Sequence, residues 1–153
     1  MNTTIFSVNL SLGSPDLMAL RLMMDMAALV LIWLVQLVIY PAFLYFSNAD
    51  FKRWHVAYTR RTTYVVLPIM LGQLALYGWL LLTDRSWDVA LNTLLILFVW
   101  AITFFRAVPL HSALGIEEDH LPISARLVAI NWWRTGLWTL VWVISTGVFL
   151  FDS

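Results

Sequence analysis

Charged residues are missing from long stretches of this chain. Met26 to Phe46 and Thr62 to Leu82 each run 21 residues without a charge. Val89 to Phe105 is a third such stretch, extended by Arg106 and Ala107, and Leu127 to Phe151 is a fourth, interrupted only by Arg134. At ~1.5 Å per residue, 21 helical residues reach ~31 Å, the thickness of a bilayer core. The third and fourth stretches fall short of a full span, so their ends are expected at the interface.

The residues between these stretches read as helix boundaries. Ser14-Pro15-Asp16 has the form of a helix start, with Ser as cap, Pro at the first helical position and Asp at the positive dipole end. Tyr40-Pro41 is expected to kink the first helix near its far end. Ser47 and Asp50 resemble a capping box, so the second helix begins near Asn48 and runs straight on. Pro68 and Gly72 fall inside it, where neighbouring helices can accommodate a bend. Thr83-Asp84-Arg85-Ser86 reads as a tight turn with Ser86 capping the third helix. Pro109 loosens that helix's end, Ser112 to Leu121 reads as the longest loop, and Pro122 opens the fourth helix. The expected helices cover about 15–46, 48–82, 87–108 and 122–151 of one domain. Short connections favour antiparallel neighbours, so the expected fold is all-α, an integral membrane four-helix up-down bundle.

Composition supports this reading. Hydrophobic residues make up 61% of the chain and charged residues 12%, against about 45–50% and about 25% in soluble domains. A soluble fold of this size would expose large apolar patches, so membrane lipid is the expected surrounding. Zero net charge argues against nucleic acid as a partner, and the absence of cysteine excludes disulfides and thiolate chemistry. The first 17 residues lack the basic residue and apolar core of a signal peptide, and the sequons at Asn2 and Asn9 carry no weight. Basic residues are placed asymmetrically. Lys52, Arg53, Arg60, Arg61, Arg106, Arg126 and Arg134 lie towards the 1–2 and 3–4 connections, and only Arg21 and Arg85 lie towards the other side. The positive-inside rule then places those two connections in the cytoplasm and both termini outside, in a multi-pass cytoplasmic membrane protein.

Polar residues within the helices gather in the cytoplasmic half. The first helix offers Gln36 and Tyr40, four apart on one face. The second offers His55, Tyr58 and Thr62, with Arg61 beside them and Gln73 on the same face five turns deeper. The third offers Thr103, Arg106 and, past Pro109, His111. The fourth offers Asn131, Arg134, Thr135 and Trp138. In an up-down bundle these sets share one depth and can form a cationic, aromatic-lined pocket for a hydrophobic small molecule. Snorkelling is the simpler reading for Lys52, Arg53, Arg60 and Arg126. Arg106 and Arg134, set between apolar and aromatic runs, point to a site. Asp25 has Arg21 one turn away as its simplest partner, and His120, in the acidic loop, is expected in solvent. His55 and His111 suit a general base beside cations that hold the resulting anion. They also suit a bis-His haem. A non-haem metal site is weaker, since there is no Glu-x-x-His pair and Glu117, Glu118 and Asp119 fall in the loop.

Thr103 to Leu114 reads T-F-F-R-A-V-P-L-H-S-A-L, and Leu127 to Thr139 reads L-V-A-I-N-W-W-R-T-G-L-W-T. This order resembles the small four-helix membrane family that includes the fungal anthrone oxygenases, with Val-Pro after the third helix and Asn-Trp…Arg opening the fourth. The resemblance covers roughly the C-terminal third, and Tyr40-Pro41 echoes it. Where that family often has Asn after Val-Pro, this chain has Leu110-His111. The resemblance implies oxidation of an aromatic polyphenol by oxygen without an obvious cofactor, and the pocket residues by themselves suit a hydrophobic, acidic aromatic or quinone-like ligand. His55 or His111 would act as base, and Arg106, Arg134 and Asn131 would hold the anion. Two other classes fit the same residues. One is a non-enzymatic subunit or scaffold anchored to anionic headgroups by interfacial arginines. The other is a haem-bearing redox subunit. Trp132, Trp133, Trp138 and Trp142 cannot all point inward, so the fourth helix also faces lipid or a partner chain, as in a homo-oligomer.

Overall fold

Four helices that meet polar groups only on their inner faces arrange themselves so that those groups meet one another. The computed structural model describes residues 15–151. The cap expected at Ser14, the sequons and the first residues of the chain lie outside the described residues. Helix α1 is α-helical over Pro15–Leu34, π-helical over Val35–Ile39, α-helical again over Tyr40–Ala42 and ends in a 3₁₀ turn over Phe43–Tyr45. Helix α2 spans Asn48–Thr83. Helix α3 runs from Trp87–Ile102 through a π segment at Thr103–Ala107 to Val108–Ile116, and α4 spans Leu121–Phe151. All four are long and apolar enough to cross a membrane. The fold is the expected all-α four-helix bundle, in which each helix packs on its neighbours in sequence and α4 closes back on α1.

The outer surface is apolar. Leu37, Val38, Leu82, Phe105, Trp132 and Trp133 are among many large side chains that project outward. Of the four α4 tryptophans, Trp138 is buried while Trp132 and Trp133 point away from the bundle. Two apolar clusters fill the interior. Phe43, Phe51, Leu114 and Leu127 lie at the end nearest the 1–2 and 3–4 connections. Leu17, Tyr77, Leu80, Val89, Ile96 and Val141 lie at the other end.

Pro41 and Pro109 end neither helix. Each follows a π segment by one residue. The Tyr40 amide donates to the Val35 carbonyl and the Val108 amide to the Thr103 carbonyl. The wider turn accommodates the proline, which has no amide hydrogen to give. The third helix therefore extends to Ile116 instead of ending near 108, and the loop expected from Ser112 to Leu121 shrinks to residues 117–120. Ser47 caps α2 as expected, its Oγ accepting from the Asp50 amide. Ser86 sits at the cap position of α3, but its side chain does not cap the helix. Its hydroxyl donates to Asp84 instead. In this turn Arg85 carries a left-handed backbone, φ 55°.

The local Arg21–Asp25 pair does not form. Arg21 instead reaches across to α3, where its Nη1 lies 2.6 Å from Asp88 Oδ2. Asp25, fully buried, accepts from Gln73 Nε2 at 2.8 Å, the Tyr77 hydroxyl at 2.6 Å and Ser145 Oγ at 2.6 Å. Asn92 donates to both the Tyr77 and Ser145 hydroxyls. Every helix thus contributes to one buried polar cluster. Partners of a longer reach win because apolar surroundings leave no water to satisfy a carboxylate's remaining lone pairs.

Removing one member strands the others. Asp88→Ala leaves the Arg21 guanidinium buried without its anion, a loss of about 3–5 kcal/mol by analogy with broken buried pairs. Its thermal midpoint in mild detergent is expected well below wild type, whereas that of Asp84→Ala, at the exposed turn, stays close to it. Equal midpoints for Asp88→Ala and wild type would contradict this role.

Candidate functional site

The two π segments lie in the half of the bundle nearest the 1–2 and 3–4 connections. There α1 and α3 present Tyr40 and His111 to α2. The Tyr40 hydroxyl is 2.9 Å from His111 Nε2, and His111 Nδ1 is 3.1 Å from His55 Nε2. The two imidazoles stack at 5.4 Å, tilted by 18°. Thr59, one turn beyond His55, closes the row at 3.4 Å from His55 Nε2 and donates to the His55 carbonyl at 2.8 Å. A neutral His111 carrying its proton on Nδ1 accepts from Tyr40 and donates to His55. The other tautomer reverses the row. Phe43 packs edge-on against His55, Tyr58 and Trp54, and Trp54 stacks on Tyr58.

These groups border a cavity of about 710 Å³. Tyr40, His55, Tyr58, His111, Arg134 and Trp138 are in its wall, together with apolar side chains such as Ile32, Val35, Met70 and Trp100. Arg134 is 5% exposed. Its Nη1 donates to Asn131 Oδ1 at 2.9 Å, and its guanidinium lies 5.5 Å from the Trp138 ring centroid. Its Nε has no hydrogen-bond partner, and among the described residues it forms no ion pair. Gln36 and Asn131 stand behind it and do not line the cavity. Asn131 Nδ2 donates to Gln36 Oε1 at 2.9 Å, which turns the Asn131 carbonyl oxygen towards the guanidinium. Both therefore position Arg134.

The structure brings Gln36, Tyr40, His55, Tyr58, His111, Asn131 and Arg134 into one connected region. It does not bring Arg61 or Arg106 there. Arg61 is exposed, and its neighbour Arg60 lines the cavity instead. Both are exposed, and a one-residue rotation of ~100° on a helix is enough to take Arg61 off the cavity's rim. Arg106 is also exposed and lies with Arg126 along a groove on the outer face of α3 and α4. Gln73, expected with the pocket residues, spans the gap to the other cluster. It donates to Asp25 and accepts from Trp138 Nε1 at 2.9 Å.

His120 is not in solvent. It is 2% exposed, bonds to Asn48 Oδ1 and to the Phe43 carbonyl, and stacks on Phe51 at 4.0 Å. Thr59, Arg60 and Trp100 were not among the expected pocket residues. Thr59 had a legible signal in its four-residue spacing from His55, and Trp100 had none beyond its apolar surroundings. Compared with protein-family models, curated proteins and solved structures, the chain matches none.

His120 ties the 3–4 connection to the end of α1 and the start of α2, the segment that carries Phe43 against the histidines. His120→Ala should speed amide exchange in residues 43–51 and 117–121, while Glu118→Ala should leave it unchanged. Unaltered exchange in His120→Ala would remove this tie from the account.

Proposed function

We propose that the cavity binds a membrane-dissolved aromatic molecule with an acidic hydroxyl, a phenol or quinol, and that Arg134 meets its anion. The observation that carries this reading is the buried Arg134 guanidinium, set in the wall of an apolar cavity without an anion among the described residues to neutralise it. Charge at such depth is costly and marks a site by default. An ionised oxygen supplied by the ligand would complete it through charge-assisted hydrogen bonds. Trp100, Trp138 and Tyr58 offer the ring an apolar, polarisable surround.

The row from Tyr40 through His111 to His55 supports a proton acceptor beside that anion. In the oxidation that the anthrone oxygenase resemblance implies, the ligand's proton passes to this row. The phenolate held by Arg134 then gives one electron to dioxygen, leaving a ligand radical and superoxide. Catalysis is the further step of the proposal, and binding is its base. In the row His111 Nε2 is engaged by Tyr40, and His111 Nδ1 and His55 Nε2 by each other, which favours this reading over the haem subunit. The scaffold reading keeps Arg106, whose exposed side chain shares its groove with Arg126.

For orientation, the proposal keeps the 1–2 and 3–4 connections in the cytoplasm. Arg134 and Arg21 serve the interior and leave the topological count. Lys52, Arg53, Arg60, Arg61, Arg106 and Arg126 remain at one end, and Arg85 alone at the other.

Dihydroxyanthrone, titrated against the protein in nanodiscs, tests the binding claim through quenching of tryptophan fluorescence. Wild type should quench saturably. Arg134→Gln should bind at least ~10-fold more weakly, about 1.4 kcal/mol, and Arg106→Gln should match wild type. Indistinguishable affinities for Arg134→Gln and wild type, or no saturable quenching at all, would overturn the proposal.

A further inference from the structure

The cavity is closed on one side and open on the other. The lining residues from α1 and α4 are buried, Val35, Tyr40, Arg134 and Trp138 among them, apart from the half-buried Leu31. Those from α2 and α3 include many that are exposed to the outside of the bundle. On α2 these are Arg60, Thr63 and Leu67, and on α3 they are Ser112, Val108 and Phe104. The tight turn between Thr83 and Trp87 sets the antiparallel register of α2 and α3. Along the antiparallel pair Arg60, Thr63 and Leu67 follow one another away from the connections on α2, as Ser112, Val108 and Phe104 do on α3.

The opening is therefore a slot between two neighbouring helices, running along them for ~10 Å. Its deep end coincides with distortions in both helices. Pro68 follows Leu67 in α2 and removes a helical hydrogen bond there. The π segment of α3 begins at Thr103, beside Phe104. On the side of the slot nearer the turn, α2 and α3 pack closely through Leu80, Tyr77, Val89 and Ile96. The slot faces sideways, where the bundle's surroundings are as apolar as Leu67, Phe104 and Val108. It becomes polar only towards the connections, at Arg60 and Ser112.

We infer that the ligand enters and leaves through this slot, directly from the bilayer, and that it belongs to the class of phenols or quinols bearing a long apolar chain. The ring passes inward to Arg134 and His111, and the chain stays between α2 and α3, in contact with lipid. This rests on the ligand-binding reading above and deepens it. A water-soluble phenol would have no use for an opening whose walls are mainly hydrocarbon. A chain-bearing quinol loses little hydration on entering, because its chain never leaves an apolar medium.

The absence of cysteine from the chain makes the slot testable by cross-linking. Thr63→Cys with Val108→Cys, bridged by a flexible bis-maleimide, closes its middle level. Leu82→Cys with Trp87→Cys, bridged in the same way near the turn, is the control. The probe is a decyl-substituted benzoquinol in proteoliposomes, followed by tryptophan quenching after rapid mixing. Bridging 63 to 108 should slow both binding and release at least tenfold relative to the same double variant left unbridged, while the bridged control keeps wild-type rates. At equal mole fraction in the bilayer, the decyl quinol should bind as tightly as methylbenzoquinol, because its chain stays in an apolar medium throughout.

Wild-type rates in the 63–108 bridged protein would overturn lateral entry, with equilibrium binding and the Arg134 dependence still standing. Binding of the decyl quinol at least tenfold weaker than that of methylbenzoquinol would overturn the chain-bearing class. Absence of saturable binding of dihydroxyanthrone and of both quinols by wild type would remove the binding reading and this inference with it.

Discussion

Inside an apolar bundle every polar group must find a partner of its own, because neither lipid nor the packed core supplies one. This constraint organises the protein. At one end it draws Arg21 to Asp88 and gathers Gln73, Tyr77 and Ser145 around Asp25, with Asn92 joined to Tyr77 and Ser145, so that all four helices are tied at one level. At the other end it aligns Tyr40, His111, His55 and Thr59. Gln73 and Trp138 join the two regions, and Trp138 lies under Arg134. Helix packing by apolar side chains alone is permissive in orientation, whereas a network of directional bonds admits few rotations of each helix. A few buried atoms, such as Arg21 Nη2 and Asn92 Oδ1, lack a partner, but Arg134 departs in its charge, which Asn131 holds in place and no anion among the described residues balances.

Backbone irregularity places the second cluster. In α1 and α3 a π segment directly precedes an X-Pro pair, and the residues that follow the wide turn are re-aimed. Tyr40 and His111 belong to these re-aimed segments. Such insertions recur at functional sites because they break the 3.6-residue pattern where a side chain must leave the regular face. The same distortion in α3 includes Phe104, at the deep end of the open slot. One device thus accounts for the position of the polar row and for the gap beside it.

The fold was readable because it depends on long, uniform signals. Four nearly charge-free stretches and their boundary residues determined the helices, and a helix end moved by more than one residue only where Pro109 was taken as a terminator. A proline is a terminator only in a regular α-helix, and the π turn that spares it leaves no mark in composition. The cavity-end residues were readable through helical spacing, as with Gln36 and Tyr40 or Asn131 and Arg134. Arg61 was misplaced because a rotation of one residue takes a side chain off the cavity's rim. Arg106 was misplaced because the π segment changes the angular count just where it lies. The Asp25 cluster escaped recognition for another reason. Its members are single polar residues on four helices, and only their packing shows that they meet. Arg21 and Asp25, one turn apart, invited a local pairing that the longer-range partners Asp88 and Tyr77 displaced.

The central claim is that an anion not provided by the protein completes the environment of Arg134. Native mass spectrometry of protein released from its own membrane into mild detergent tests it most directly, since it weighs what the cavity retains. The account predicts that wild type carries a bound hydrophobic phenol or quinol, detached on mild activation, and that Arg134→Gln prepared alongside carries none. The contradicting result is a bare mass for wild type throughout, or the same bound molecule at the same occupancy in Arg134→Gln.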